Sequence, residues 1–216
     1  MSFFLMSSCN DDNMMIIDES TTYRMIFDGN SWVSGTGSTG GKNYPKQLSD
    51  LLNSDGKTTS RINYGVYGQT IYRMESDAST QIDPNVSTAN ILIGLEIVNT
   101  WGFNENETKE HIYDLYKQYF LNRKEAGFEY IIALTPISQT FYDRPDWEVA
   151  KLYFRTQMLA EFPDLGIHVA DVGADARLSD SKDLTYYKTD GLHLNNAGYG
   201  VMAEIVYNTV ISLEIK

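Results

Sequence analysis

Met25-Ile26-Phe27-Asp28-Gly29-Asn30-Ser31-Trp32-Val33-Ser34-Gly35 begins as an apolar run, stops at a glycine, and then presents a small polar residue and a serine. Residues 35–41 beyond it are rich in Gly, Ser and Thr. The pattern predicts a buried strand over residues 23–28 that delivers Ser31 to its carboxyl end, with an open loop following. In open α/β sheets the ligand crevice lies outside the carboxyl ends of the strands, so Ser31 is a candidate nucleophile. A Gly-Asn-Ser turn is also ordinary loop chemistry, and the assignment needs partners from elsewhere in the chain.

Working outward, residues 44–53 have helical apolar spacing, with Pro45 where its missing N–H does no harm, and Asp55-Gly56 ends the run. A short strand over 61–66 runs into Tyr67-Gly68-Gln69-Thr70, and a weakly patterned helix follows over 70–76. Residues 90–98 are almost continuously apolar, as a strand covered on both faces would be, and end at Asn99-Thr100-Trp101-Gly102. A long helix is expected over 106–126, with Ile112, Tyr116, Tyr119 and Phe120 on one stripe and Gly127 at its C-cap. A strand over 130–137 is punctuated by Thr135 and Pro136. A helix over 145–162 is expected to turn Val149, Leu152, Tyr153 and Leu159 inward. A last strand over 167–172 precedes a closing helix over 196–213, with Val201, Ile205, Val206 and Val210 facing the core. Strands alternating with helices predict one α/β domain over 23–216, with a parallel sheet of about five strands and right-handed crossovers.

Composition narrows the function. At 216 residues with 42% hydrophobic and 21% charged content, the chain suits one soluble domain. Seventeen basic against 29 acidic residues give a net charge of −12, which argues against binding nucleic acid or anionic lipid surfaces. The single cysteine, Cys9, precludes an internal disulfide, and no metal-type Cys/His spacing occurs. No apolar run is long enough to span a membrane. Residues 1–22 read as a flexible leader. Within it, Phe3-Phe4-Leu5-Met6-Ser7-Ser8-Cys9-Asn10-Asp11-Asp12 resembles the end of a bacterial lipoprotein signal, although no Lys or Arg precedes Cys9. The expectation is an exported protein with Cys9 as a candidate lipid anchor; the alternatives are a cytoplasmic or virion-associated protein.

A serine hydroxyl needs a base within reach, and the base needs an orienting acceptor. Of the three histidines, His111 lies on an amphipathic helix and His168 within a strand. His193 stands in Asp190-Gly191-Leu192-His193-Leu194-Asn195-Asn196, where a tight turn can bring the Asp190 carboxylate onto the ring and leave the other nitrogen for Ser31. Asn195 and Asn196 look like N-cap residues of the closing helix. A turn-capping Asp beside a packed His is the plain alternative. For a developing oxyanion, the Ser31 N–H, Gly68 after the second strand and Asn99 after the third are the candidate donors. Each taken singly could be only a turn residue.

In this order, Ser31, Gly68, Asn99 and Asp190-x-x-His193 resemble the SGNH (GDSL-type) ester hydrolase family, which places a serine, a glycine, an asparagine and Asp-x-x-His in successive blocks. The resemblance runs from about residue 23 to the end. It implies a flavodoxin-like three-layer α/β/α fold and hydrolysis through an acyl-enzyme, with no metal or organic cofactor. Two positions depart from the family pattern. Asn30 stands where Gly-Asp-Ser is usual, and Ile97-Val98-Asn99-Thr100 where Gly-x-Asn-Asp is usual. Gly102-Phe103-Asn104-Glu105 makes Asn104 the alternative oxyanion residue. The function expected is removal of a short acyl group, most simply acetyl, from a small ester or a carbohydrate. Residues 34–42 and the neighbourhood of Trp101 are expected to line the pocket. The rivals are a lysophospholipase or thioesterase of the same family, a non-catalytic binding or structural protein on the same fold, and a flavodoxin-like nucleotide or flavin binder. This last lacks a phosphate-type glycine loop followed by a helix.

Overall fold

The computed structural model describes residues 22–104, 106–213 and 215; Cys9 and the rest of the leader lie outside the described residues. Five strands form one parallel sheet: β1 (Thr22–Gly29), β2 (Thr58–Asn63), β3 (Ile91–Leu95), β4 (Tyr130–Leu134) and β5 (His168–Ala170). Their spatial order is β2-β1-β3-β4-β5. Chain direction across the sheet therefore reverses between β1 and β3, and a crevice opens there at the carboxyl edge. Helix α2 (Tyr44–Ser54) packs against α7 (Asn196–Ile211) in one layer; α3 (Ile71–Gln81), α5 (Lys109–Ala126) and α6 (Trp147–Glu161) pack in sequence in the other. This is the three-layer α/β/α arrangement that the strand–helix alternation predicts.

The central strands are buried on both faces; β1, β3 and β4 carry Ile26, Phe27, Ile91, Leu92, Ile93, Ile131 and Ile132 at essentially zero exposure. Tyr116 reaches up from α5 and its hydroxyl shares its one proton between the carbonyls of Gly94 (3.0 Å) and Leu134 (3.1 Å), tying the helix to the ends of β3 and β4. No helix among the described residues is long and apolar enough to cross a membrane.

Three expectations are corrected. The second strand lies at Thr58–Asn63, earlier than 61–66, although Tyr64 and Val66 still donate to the β1 carbonyls of Phe27 and Gly29. The apolar run 90–98 is not one strand. β3 stops at Leu95, and the remainder turns into a buried helix, α4 (Val98–Phe103). Apolar continuity does not separate a buried strand from a buried helix end. In α6 the inward stripe is Trp147, Ala150, Phe154 and Met158, while Val149 (68%), Leu152 (59%) and Leu159 (41%) are exposed and Tyr153 is half-buried. Two apolar stripes compete on that helix, and the one carrying Trp and Phe buries the larger area.

Candidate active site

The nucleophile candidate is set by a sharp change of direction after β1. Asn30 caps the single turn α1 (Ser31–Ser34), its side-chain oxygen accepting the Trp32 N–H at 2.9 Å. The Asn30 carbonyl takes the N–H groups of Val33 and Ser34 (3.0 Å each). The Ser31 N–H therefore has no acceptor within its own turn, as first-turn amides do not. Ser31 is almost fully buried, at 2% exposure.

Asp190 and His193 come to it from the other end of the chain. His193 Nε2 lies 3.1 Å from Ser31 Oγ, and His193 Nδ1 lies 2.7 Å from Asp190 Oδ2. With the ring proton on Nδ1 toward the carboxylate, Nε2 is free to accept from the serine. The turn is braced internally, because Asp190 Oδ1 also accepts the N–H groups of Leu192 and His193 (2.9 Å each). Burial works against the Asp190 charge, but these bonds outweigh it and hold the carboxyl below its usual range. Gly191 has φ +68, and a Cβ there would meet Thr140 Oγ1 at 2.4 Å, so both backbone shape and space call for glycine. Trp32 Nε1 donates to the Leu192 carbonyl (2.8 Å), locking the serine turn onto the Asp-His turn. Asn195 is the N-cap of α7; Asn196 is its first residue and bonds Thr39 instead. His111 and His168 are exposed, away from this cluster.

The oxyanion candidates separate. Gly68 occupies the third position of a turn closed by Gln69 N–H to the Val66 carbonyl (3.1 Å), with φ +71 and open space beside its Cα. That is the position where a type II turn requires positive φ. Asn99 is buried in the first turn of α4; its amide donates to the Gln69 carbonyl (2.9 Å), and its oxygen accepts from Tyr142 Oη (2.7 Å). Asn99 is thus joined to the Gly68–Gln69 turn, with a second amide hydrogen remaining. Asn104 is not part of this arrangement, because its amide closes α4 on the Thr100 carbonyl at 2.9 Å.

Two buried carboxyls beneath the crevice were not singled out by the motif. Asp28, the last charge before the serine, accepts from Tyr119 Oη and from Gln69 Nε2 (3.0 Å). Burial pushes it up to about 6 against those bonds. Glu96 follows β3, is fully buried, and is pushed up to about 7 by burial. The one carboxylate in the run 90–98 was the available signal for it.

The surroundings differ from expectation on one side. Trp101 is buried at the edge of Phe154 and covered by the Arg144 guanidinium, 4.0 Å above its ring, so it does not face a ligand. A hollow of about 320 Å3 is lined instead by residues 139–145 with Trp147 and Glu148. That segment touches both halves of the site: Thr140 N–H donates to the Gly191 carbonyl (2.8 Å), and Tyr142 holds Asn99. Tyr67, 66% exposed, stacks on the His193 ring with centroids 5.8 Å apart. Residues 34–42 are tied down to the start of α7 through Thr39 and Asn196.

No family model and no curated protein matches the chain. Solved structures do. A member of the lipolytic protein G-D-S-L family from Veillonella parvula superposes with a TM-score of 0.71 at 15% identity, covering 88% of this chain and 100% of that one. A Clostridium thermocellum family 3 carbohydrate esterase gives 0.68 at 17%, covering 88% and 96%. A catalytic mutant of an acetylxylan esterase from Geobacillus stearothermophilus gives 0.68 at 12%, covering 88% and 95%. At this level of identity the likeness is one of architecture: the chain has the three-layer fold that these esterases share, over nearly their whole length.

Proposed function

We propose that this protein is a serine ester hydrolase of the SGNH (GDSL) type that removes short acyl groups, above all acetyl, from a carbohydrate. The observation that carries the reading is the unbroken line of contacts from Asp190 through His193 to Ser31, at 2.7 and 3.1 Å. Ser31 Oγ attacks the ester carbonyl while His193 Nε2 takes its proton; Asp190 holds the ring and steadies the imidazolium. The Ser31 and Gly68 N–H groups and the Asn99 amide receive the carbonyl oxygen as it gains charge. His193 then returns its proton to the leaving alkoxide, and water completes the cycle on the acyl-enzyme.

The alcohol half of the ester must lie on the imidazole side, because that is where its oxygen is protonated. The exposed Tyr67 ring, stacked on His193, lies there, and Phe141 (51%) is a second exposed aromatic ring, at the hollow lined by residues 139–145. Flat ring faces of this kind suit the C–H face of a sugar. Carbohydrate and acetylxylan esterases among the structural neighbours support the same substrate class.

Hydrolysis of an aryl acetate and of acetylated xylo-oligosaccharides, by wild type and Ser31→Ala, tests the proposal. Wild-type turnover with a loss of about 10⁴-fold or more in the variant is expected. Turnover unchanged in Ser31→Ala, or none in wild type, would refute it. A preference for long-chain over acetyl esters would move the substrate to the lysophospholipid or thioester class.

A further inference from the structure

Glu96 and Asn30 are both fully buried next to the segments that carry the proposed oxyanion donors. Asn30 has its oxygen on the Trp32 N–H, while its amide nitrogen has no partner in hydrogen-bond geometry among the described residues. It stands near enough to Glu96 to favour that group's charged form. A buried amide and a buried carboxyl are each costly unless their bonding is supplied. The bonds that Glu96 makes show what it is held there to do.

Glu96 Oε1 accepts the Asn99 N–H at 2.8 Å and the Thr100 N–H at 3.3 Å, fixing the first turn of α4. Its Oε2 accepts from Thr100 Oγ1 at 2.6 Å. That hydroxyl, its proton committed to Glu96, accepts the Ile71 N–H at 2.9 Å and so fixes the entry to α3, directly after the Gly68 turn. Asn99 closes the circuit on the Gln69 carbonyl. Through Asn30 the same carboxylate borders the Ser31 turn, whose Asn30 N–H is bonded to the Leu95 carbonyl (3.2 Å). One side chain therefore adjoins the three segments that supply the Ser31, Gly68 and Asn99 donors.

We propose that Glu96 is the positioning residue of the oxyanion site, aligning Asn99 and the Gly68 turn through its carboxylate, with the Asn30 amide as its complement. This inference rests on the esterase reading. It requires a carboxylate paired with an amide, not merely a polar residue of similar size. In Glu96→Gln two amide NH2 groups would face each other, and the Thr100 hydroxyl would lose its charged acceptor. In Asn30→Asp two carboxyls would share one dry site, and one would be forced to hold a proton. In the double variant Asn30→Asp/Glu96→Gln the carboxylate and amide are both present again, with places exchanged.

The test is steady-state hydrolysis of an aryl acetate by wild type, both single variants and the double variant, with thermal melting as the fold check. Each single variant should lose roughly ten- to a hundredfold in kcat with KM within about threefold, since the oxyanion donors act chiefly in the transition state. The double variant should recover most of that loss. If Glu96→Gln does not fold, Asn30→Asp, which keeps Glu96, still reports the effect, and restored folding and kcat in the double variant count for the pairing. A crystal structure of Asn30→Asp, or of Glu96→Gln, should show the Asn99–Gln69 bond lengthened or lost, a readout that does not depend on turnover. Wild-type kcat in Glu96→Gln, or a double variant at or below the product of the two single losses, overturns the proposal. Absence of turnover in wild type would instead overturn the esterase reading, and the Asn99–Gln69 bond would then decide the structural role alone.

Discussion

At the scale of single residues, placement matters more than residue type. His193 is useful because Asp190 spends three acceptor contacts on one turn, one on the ring and two on backbone N–H groups, so the imidazole cannot swing. Ser31 is held by Asn30, a cap that carries no charge of its own, its side-chain oxygen fixed on the Trp32 N–H. Tyr67 is the residue on which substrate choice can be read most directly. Tyr67→Ala should raise KM for an acetylated xylo-oligosaccharide roughly three- to tenfold, the worth of one ring contact. A simple alkyl acetate, which has no ring to stack, should be little affected. Steady-state kinetics on both substrates checks this; an equal loss on both would mean that the ring serves His193 and not the alcohol.

At the scale of elements, α6 gives the sharpest test of what packs. Phe154→Ala should cost about 3–5 kcal/mol, because it opens a cavity against Trp101 and Tyr153. Leu152→Ala, on the exposed stripe, should stay within about 0.5 kcal/mol. Denaturant unfolding of both variants measures the difference; equal losses would contradict the observed helix phase. The same helix shows where the sequence stops being legible. The strand–helix alternation, the serine after β1 and the Asp-x-x-His before α7 could all be read locally, since each depends on periodicity or on a turn of a few residues. The inward face of α6 could not, because two apolar stripes lie on it and only the sheet decides between them. The end of β3 was hidden for a related reason: Ile97 and Val98 are as apolar in a buried helix start as in a strand. Tyr142, which holds Asn99, lies 43 residues along the chain in a segment with no motif.

At the scale of the whole molecule, the fold places two carboxyls in its interior, and this gives the protein a particular pH response. Burial raises Asp28 from 3.8 to about 6 and Glu96 from 4.5 to about 7. A carboxyl whose pKa is raised by folding binds its proton more tightly in the native state. Its contribution is therefore complete below the unfolded value and is lost as pH rises through the folded one. Stability should accordingly fall between about pH 4 and 7, by on the order of 3 kcal/mol for each group. Thermal melting across that range should show the decline, and Asp28→Asn should flatten the part below about pH 6. A melting temperature that rises steadily through the same window would contradict the assignment. Asp175 and Asp190, both held below their usual range, act in the opposite sense and only at lower pH.

The central claim is that residues at opposite ends of the chain make one activated serine. Reaction with a fluorophosphonate, followed by mass spectrometry of the peptides, tests it most directly. The account predicts a single covalent adduct on Ser31, formed rapidly in the wild type and lost in His193→Ala. An unmodified Ser31 in folded wild-type protein, or an adduct that forms equally fast without His193, would contradict it.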